Sequence, residues 1–235
     1  MRLKHVFIGY DHRQPVSYSV LDYSIRKYLR RPVAITPLVI DTLPLERQGL
    51  TPFTFTRFLV PYLMGYQGWA VFLDIDMLLR ADINELFEFA DDDKAIMVSK
   101  NRHRFEWASV MLMNCARLEM LTPEFVAKAQ RLHTLEFLEE GLIGDLPAEW
   151  NHLVGYDPPN PSAKLVHYTQ GVPAFPETSD SEFAREWQQT QRMVNATVPW
   201  KALMGRSVHA VKVGEDLVPR YKVEQQGGED AALQG

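Results

Sequence analysis

At 235 residues, 46% of them hydrophobic and 23% charged, the chain has a globular composition and the length for one sizeable α/β domain. Its formal net charge of −5 leaves no basic footprint for nucleic acid, and that class of partner is set aside. A single cysteine, Cys115, excludes an intrachain disulfide and a cysteine-based metal site; it reads as a small buried hydrophobe in a reducing compartment, so a cytoplasmic location is expected.

Met1-Arg2-Leu3-Lys4-His5 leads into a short apolar run that predicts a strand and not a signal peptide, and no uncharged apolar run reaches the roughly 18 residues of a membrane-spanning helix. That first strand, Val6-Phe7-Ile8-Gly9-Tyr10-Asp11, ends in a glycine turn. Pro15 then opens a helix with Tyr18, Leu21, Ile25, Tyr28 and Leu29 at helical spacing, and Arg26, Lys27, Arg30 and Arg31 at its negative end. Residues 33–40 predict a second strand, broken or edged by Pro37, and residues 41–52 a loop. Residues 54–60 start a second helix that Pro61 kinks and that Gly65 and Gly68 end.

In Trp69-Ala70-Val71-Phe72-Leu73-Asp74-Ile75-Asp76-Met77-Leu78-Leu79 a buried-strand pattern carries two aspartates one residue apart. On a strand they would share a face, roughly 7 Å apart. Carboxylates there need a cationic partner, for which Mg²⁺ or Mn²⁺ is the simplest choice. On the motif alone, a capping aspartate beside a solvated one fits as well. The strand-helix-strand order of the first 80 residues predicts βαβ units, whose ligand sites lie beyond the carboxyl ends of the strands; Gly9-Tyr10-Asp11 and Asp74-Ile75-Asp76 both fall there, which favours the cation.

Asp82 is read as the N-cap of a short helix, Asp91-Asp92-Asp93 as a solvated turn, and residues 95–98 and 109–113 as buried strands; the charged stretch between them, Lys100 to Glu106, is read as a solvated connector in preference to a mobile loop near the site. Residues 123–140 predict one amphipathic helix or a broken pair, and residues 164–168 a strand that ends in His167, which alone reads as a core imidazole. A further helix spans 181–195. The tail is polar, with its last dozen residues expected to be disordered.

Residues 72–87, from Phe72 to Phe87, resemble the D-x-D block of glycosyltransferases with the GT-A fold, a Rossmann-like α/β domain with a mixed central sheet. The likeness is strongest to the retaining group (family 8) that includes glycogenin and the bacterial lipopolysaccharide galactosyl- and glucosyltransferases, and within it to a bacterial branch of glycosyltransferase-like proteins. Four other stretches agree in order: Phe7-Ile8-Gly9-Tyr10-Asp11, residues 56–63, residues 109–114, and Trp150-Asn151 with Val166-His167-Tyr168-Thr169. The resemblance covers roughly residues 3–195, with a nucleotide-sugar transferase domain at 1–198 and a C-terminal extension at 199–235.

What the resemblance implies is a hexosyltransferase that uses a uridine diphosphate-sugar and Mn²⁺ or Mg²⁺. Asp74, Asp76 and His167 would hold the metal; Gly9, Tyr10 and Asp11 would line the nucleoside pocket; Ser109 and Arg57 would face the donor. The chain departs from the family in three places. Trp107-Ala108-Ser109 stands for Asn-Ala/Ser-Gly, Val172-Pro173-Ala174-Phe175 stands for Lys-Pro-Trp, and the Asp-Gln-Asp segment has no counterpart nearer than Glu139-Glu140-Gly141, which makes Glu140 the stand-in near the anomeric carbon. A degenerate domain that binds without turnover is therefore the alternative. A haloacid dehalogenase-type phosphatase is rejected, since its motif would end the first strand. The acceptor is a glycan, a lipid-linked saccharide or a protein. The basic and apolar residues between Trp200 and Lys222 allow a peripheral contact with an anionic membrane, against the plainer expectation of a solvated extension.

Overall fold

A computed structural model describes residues 3–195. The expectations for the extension at 199–235, its membrane contact and its disordered end, lie outside the described residues. In chain order, β1 (Lys4–Gly9), α1 (Pro15–Tyr28) and β2 (Val33–Leu38) are followed by two short helices, α2 (Phe53–Thr56) and α3 (Val60–Leu63), and then by β3 (Trp69–Leu73). Next come β4 (Met77–Leu79), β5 (Ile96–Val98), β6 (Val110–Asn114), α4 (Pro123–Lys128) and β7 (Ile143–Asp145). The last elements are β8 (His152–Leu153), β9 (Leu165–His167) and α5 (Ala184–Asn195).

Among the described residues nine strands make two sheets. The central one is mixed and six-stranded, in the order β2-β1-β3-β6-β5-β7. β1 is parallel to both β2 and β3, β6 is antiparallel to β3 and β5, and β7 is parallel to β5. Alternation along its strands fills a core on each face: Phe7, Ala70, Phe72, Met111 and Met113 point into one, and Val6, Ile8, Val71, Leu73, Val110 and Leu112 into the other. The second sheet, β4-β9-β8, covers a smaller core of Val20, Leu78, Val166, Tyr168 and Trp187.

Backbone chemistry overrides periodicity in several stretches. The kink expected from Pro61 in the helix that starts near residue 54 takes the form of a 3-10 turn, Arg57–Leu59, because Pro61 lacks an N–H and its ring would meet the carbonyl four residues back. Pro37 is tolerated because β2 is an edge strand. The segment 123–140 keeps only α4 as a helix; Arg131 and Leu135 are left-handed, with φ of 53° and 55°, around a 3-10 turn, Leu132–Thr134. Leu132, Leu135 and Leu138 still reach the core, so burial and not helical spacing decides this stretch. Strands β7 and β8 are too short to show as periodic runs. Asp82 does cap its turn, accepting from the Asn84 N–H at 3.0 Å, and the Asp91-Asp92-Asp93 triplet is an exposed turn.

Candidate metal centre

Asp74-Ile75-Asp76 lies outside both sheets, in the bend between β3 and β4, so the same-face rule of a strand does not place the aspartates. The main chain does. The Asp74 N–H donates to the Ser109 carbonyl at 3.0 Å, which ties it to the start of β6. The Asp76 carbonyl accepts from the Tyr168 N–H at 3.0 Å, and β4 pairs antiparallel with β9 so that Met77 faces His167. A bend and a register thus bring Asp74, Asp76 and His167 together, with one ligand atom of each within 4.8 Å of the others.

The charges around this cluster are arranged unevenly. Buried Arg57 faces Asp74, with Nη2 2.9 Å from Oδ1, and is held by the carbonyls of Ala108 (2.8 Å) and Phe53 (3.4 Å). Burial still pushes the Asp74 carboxyl up to about 7, Arg57 opposing and Asp76 adding to the rise. For His167, burial disfavours the imidazolium, but Asp76, Asp74 and Glu106 outweigh it and its pKa is raised.

Asn151 sets the hydrogen on the imidazole. Its Nδ2 donates to the Glu106 carbonyl at 3.2 Å, an atom that can only accept, and to Ser109 Oγ at 3.1 Å. Its Oδ1 must therefore accept from His167 Nδ1, 3.1 Å away. Nδ1 carries a hydrogen, and the neutral ring presents a lone pair at Nε2, 3.3 Å from Asp76 Oδ1. Asp74 Oδ1 and Asp76 Oδ1 are both buried and accept no hydrogen bond of regular geometry; their nearest charged neighbours are Arg57 Nη2 at 2.9 Å and His167 Nε2 at 3.3 Å. Two carboxylate oxygens and an imidazole nitrogen brought this close together, all hard or borderline ligands, fit a divalent cation such as Mn²⁺ or Mg²⁺.

The other residues named from the sequence fall in three places. Ser109, buried, adjoins the cluster and links Asn151 to the Glu106 carbonyl. Gly9 ends β1, where a Cβ would lie 2.5 Å from Phe53 Cγ; Tyr10 packs edge-on against Tyr18 at 5.5 Å; and buried Asp11 is gripped by Arg13, with Nη2 2.6 Å from Oδ2. Beside them a cavity of about 220 Å³ is lined by His12, Arg13, Ile40, Asp41, Thr51 and Pro52 among others. Glu140 is exposed, and its carboxylate pairs with Arg104 at 3.0 Å, not with a member of the cluster. Larger grooves of about 380 and 710 Å³ run along the C-terminal half of α1, and no residue of the cluster lines them.

Two participants escaped the sequence reading. Asn151 belongs to a matching block but carries no role there, and Glu106 falls in the stretch for which a solvated connector is preferred to a loop near the site. Instead its Oε2 lies 4.0 Å from His167 Nδ1. The one usable signal was its position three residues before Ser109, at the mouth of a buried strand.

No protein-family model matches the chain. Among solved structures it is similar to a bifunctional glycosyltransferase, WbbM, with a TM-score of 0.64 and 16% identity over 86% of this chain. This chain spans about half, 51%, of that one. It is also similar to the galactosyltransferase LgtC, solved with donor and acceptor sugar analogs, with a TM-score of 0.60 and 14% identity over 84% of this chain and 99% of that one. A third is the glycosyltransferase GlyE of Streptococcus pneumoniae, with a TM-score of 0.61 and 15% identity over 86% and 62% of the two chains. In sequence it is 37% identical over 218 residues to Protein CDI of Arabidopsis thaliana, covering 77% of this chain and 83% of that one. The chain has the GT-A fold of the glycosyltransferases and belongs to the family of Protein CDI.

Proposed function

We propose that the protein is a metal-dependent glycosyltransferase. It moves a hexose from a nucleoside-diphosphate sugar, a uridine diphosphate-sugar by the resemblance, to a glycan, lipid-linked or protein acceptor, with retention. The observation that carries this reading is the convergence of two carboxylates and one oriented imidazole beyond the end of β3, on a GT-A fold. Asp74, Asp76 and His167 would hold Mn²⁺ or Mg²⁺, which when bound supplies Lewis-acid stabilisation of the charge that the leaving diphosphate gains. Arg57 keeps Asp74 in place and adds a fixed positive charge beside it. Ser109 and Asn151 hold the imidazole in its ligating tautomer. Gly9, Tyr10 and Asp11 are assigned to the nucleoside, supported by the cavity next to them. The buried Cys115 supports a cytoplasmic setting.

Calorimetry with uridine diphosphate tests this: binding that requires Mn²⁺ is expected, and Asp76→Ala abolishes it. Absence of metal-dependent heat with uridine diphosphate and any common nucleotide sugar rejects the reading. A second reading, a domain that binds without turnover, is favoured by the internal compensation of the cluster, Arg57 against Asp74 and His167 against Asp76. Slow Mn²⁺-dependent hydrolysis of the donor would rule it out.

A further inference from the structure

The turn that leaves β1 closes on itself through Asp11 and Arg13. The Arg13 N–H and Nε both donate to Asp11 Oδ1 at 2.9 Å, and Nη2 donates to Oδ2 at 2.6 Å. Both carboxylate oxygens are thereby taken, the side chain is 1% exposed, and the hydrogen bonds from Arg13 hold the acid below its ordinary pKa. Asp11 is therefore closed to a ligand, and neither it nor Tyr10 lines the cavity of about 220 Å³ beside them. Arg13 does line it; its side chain is 58% exposed, and among the described residues its Nη1 makes no hydrogen bond. The guanidinium is thus held rigid along one edge and has only donors left to offer. With Asp11 it forms a pair of no net charge, and Asp41 is the one acid that lines the cavity, so an uncharged ligand suits the place better than a phosphate. Ile40, Pro52 and Leu50 add apolar surface, and Leu50, at 90%, is the most exposed large apolar side chain among the described residues. The volume is below that of a site for a whole small molecule and suits one flat ring system.

We propose that Arg13 selects the nucleobase of the donor by donating to a ring carbonyl, and that Asp11 is a positioning residue that acts only through Arg13. This rests on the transferase reading and changes the part given there to Asp11. Uracil and guanine carry a carbonyl oxygen where cytosine and adenine carry an amino group. A side chain with donors only pairs with the first two and meets the amino groups donor to donor. An acid in its place would do the reverse and favour the amino group of cytosine. Leu50 at the cavity supplies an apolar surface for the face of the ring, while Arg13 reads its edge.

Calorimetry on the full chain with Mn²⁺ compares uridine diphosphate, cytidine diphosphate and inorganic pyrophosphate. The wild type should bind uridine diphosphate about 10-fold or more tighter than cytidine diphosphate, which is the worth of one good base contact. Arg13→Leu should erase that preference by weakening uridine diphosphate, with pyrophosphate binding unchanged. Asp11→Asn should weaken uridine diphosphate on its own and add nothing when combined with Arg13→Leu, as a residue acting through another does. Arg13→Lys keeps a charge opposite Asp11 but not the fork, and should lose part of the preference. Thermal unfolding checks that each variant is folded, and Arg13→Lys decides the matter if Arg13→Leu is not. The proposal is overturned if the wild type shows no preference for uridine diphosphate, or if the full preference survives in the folded Arg13 variant. It is also overturned if pyrophosphate weakens in step with uridine diphosphate, or if Asp11→Asn costs as much without Arg13 as with it. Failure of the wild type to bind uridine diphosphate and pyrophosphate with Mn²⁺ takes down the transferase reading and this proposal with it; intact binding that is indifferent to position 13 takes down this proposal alone.

Discussion

Asn151 decides what His167 can offer, and that role can be measured without any metal. With the amide replaced in Asn151→Leu, Nδ1 loses its acceptor and the neutral ring should become a mixture of tautomers, whereas Asn151→Asp should keep Nδ1 protonated. Ring nitrogen chemical shifts at alkaline pH read this directly, and unchanged shifts in Asn151→Leu would contradict the assignment. Affinity for Mn²⁺ should fall by about 10- to 100-fold in the same variant. Asp74 makes a second prediction. Its folded pKa of about 7 stands above the ordinary 3.8, so between those values the folded protein binds the proton that the unfolded chain has released. Stability of the metal-free protein therefore falls as pH rises from about 4 to about 7. Raised His167 adds to the loss at the upper end, since stability from a charged imidazole goes as pH passes its folded pKa. Melting temperatures should drop by several degrees from pH 5 to pH 7.5, and saturating Mn²⁺ should remove most of the drop. A metal-free melting temperature that is flat over that range would contradict the buried, protonated Asp74. At this scale the members of the cluster are legible, because Asp74, Asp76 and His167, which the fold brings together, sit in short local patterns. Asn151 and Glu106 are not, because hydrogen bonds between residues 42 and 45 positions apart define them.

The elements that position the site differ in how far sequence reveals them. β3 and β6 announce themselves as runs of apolar residues, since both of their faces are buried. The bend at Asp74-Ile75-Asp76 does not, because an apolar residue between two acids looks the same in a strand. The pairing of β4 with β9 is likewise set by partners far apart in the chain. Short α2 shows how a distant residue enters the site through packing. Its Phe53 ring occupies the space a side chain at Gly9 would need, and its carbonyl receives Arg57 Nε. Gly9→Ala should therefore cost about 1–3 kcal/mol in denaturant unfolding, as overpacking does. The same variant should weaken Mn²⁺ binding through the displaced Arg57, and unchanged stability would show that Phe53 can move aside freely.

Across the whole molecule, the large sheet supplies Asp74 through β3 and the small sheet supplies His167 through β9. Fold class was legible because alternation fixes the large sheet, whose two cores account for most of the buried apolar residues. The separate small sheet was not, since β4, β8 and β9 have only three, two and three residues. Asp74 is tethered by its own amide to one sheet, and Asp76 by its own carbonyl to the other, with Ile75 alone between them. The gap between the two acids is thus a built-in calliper for shear of one ladder past the other, and whatever grips both jaws also locks the angle at which the two β layers meet.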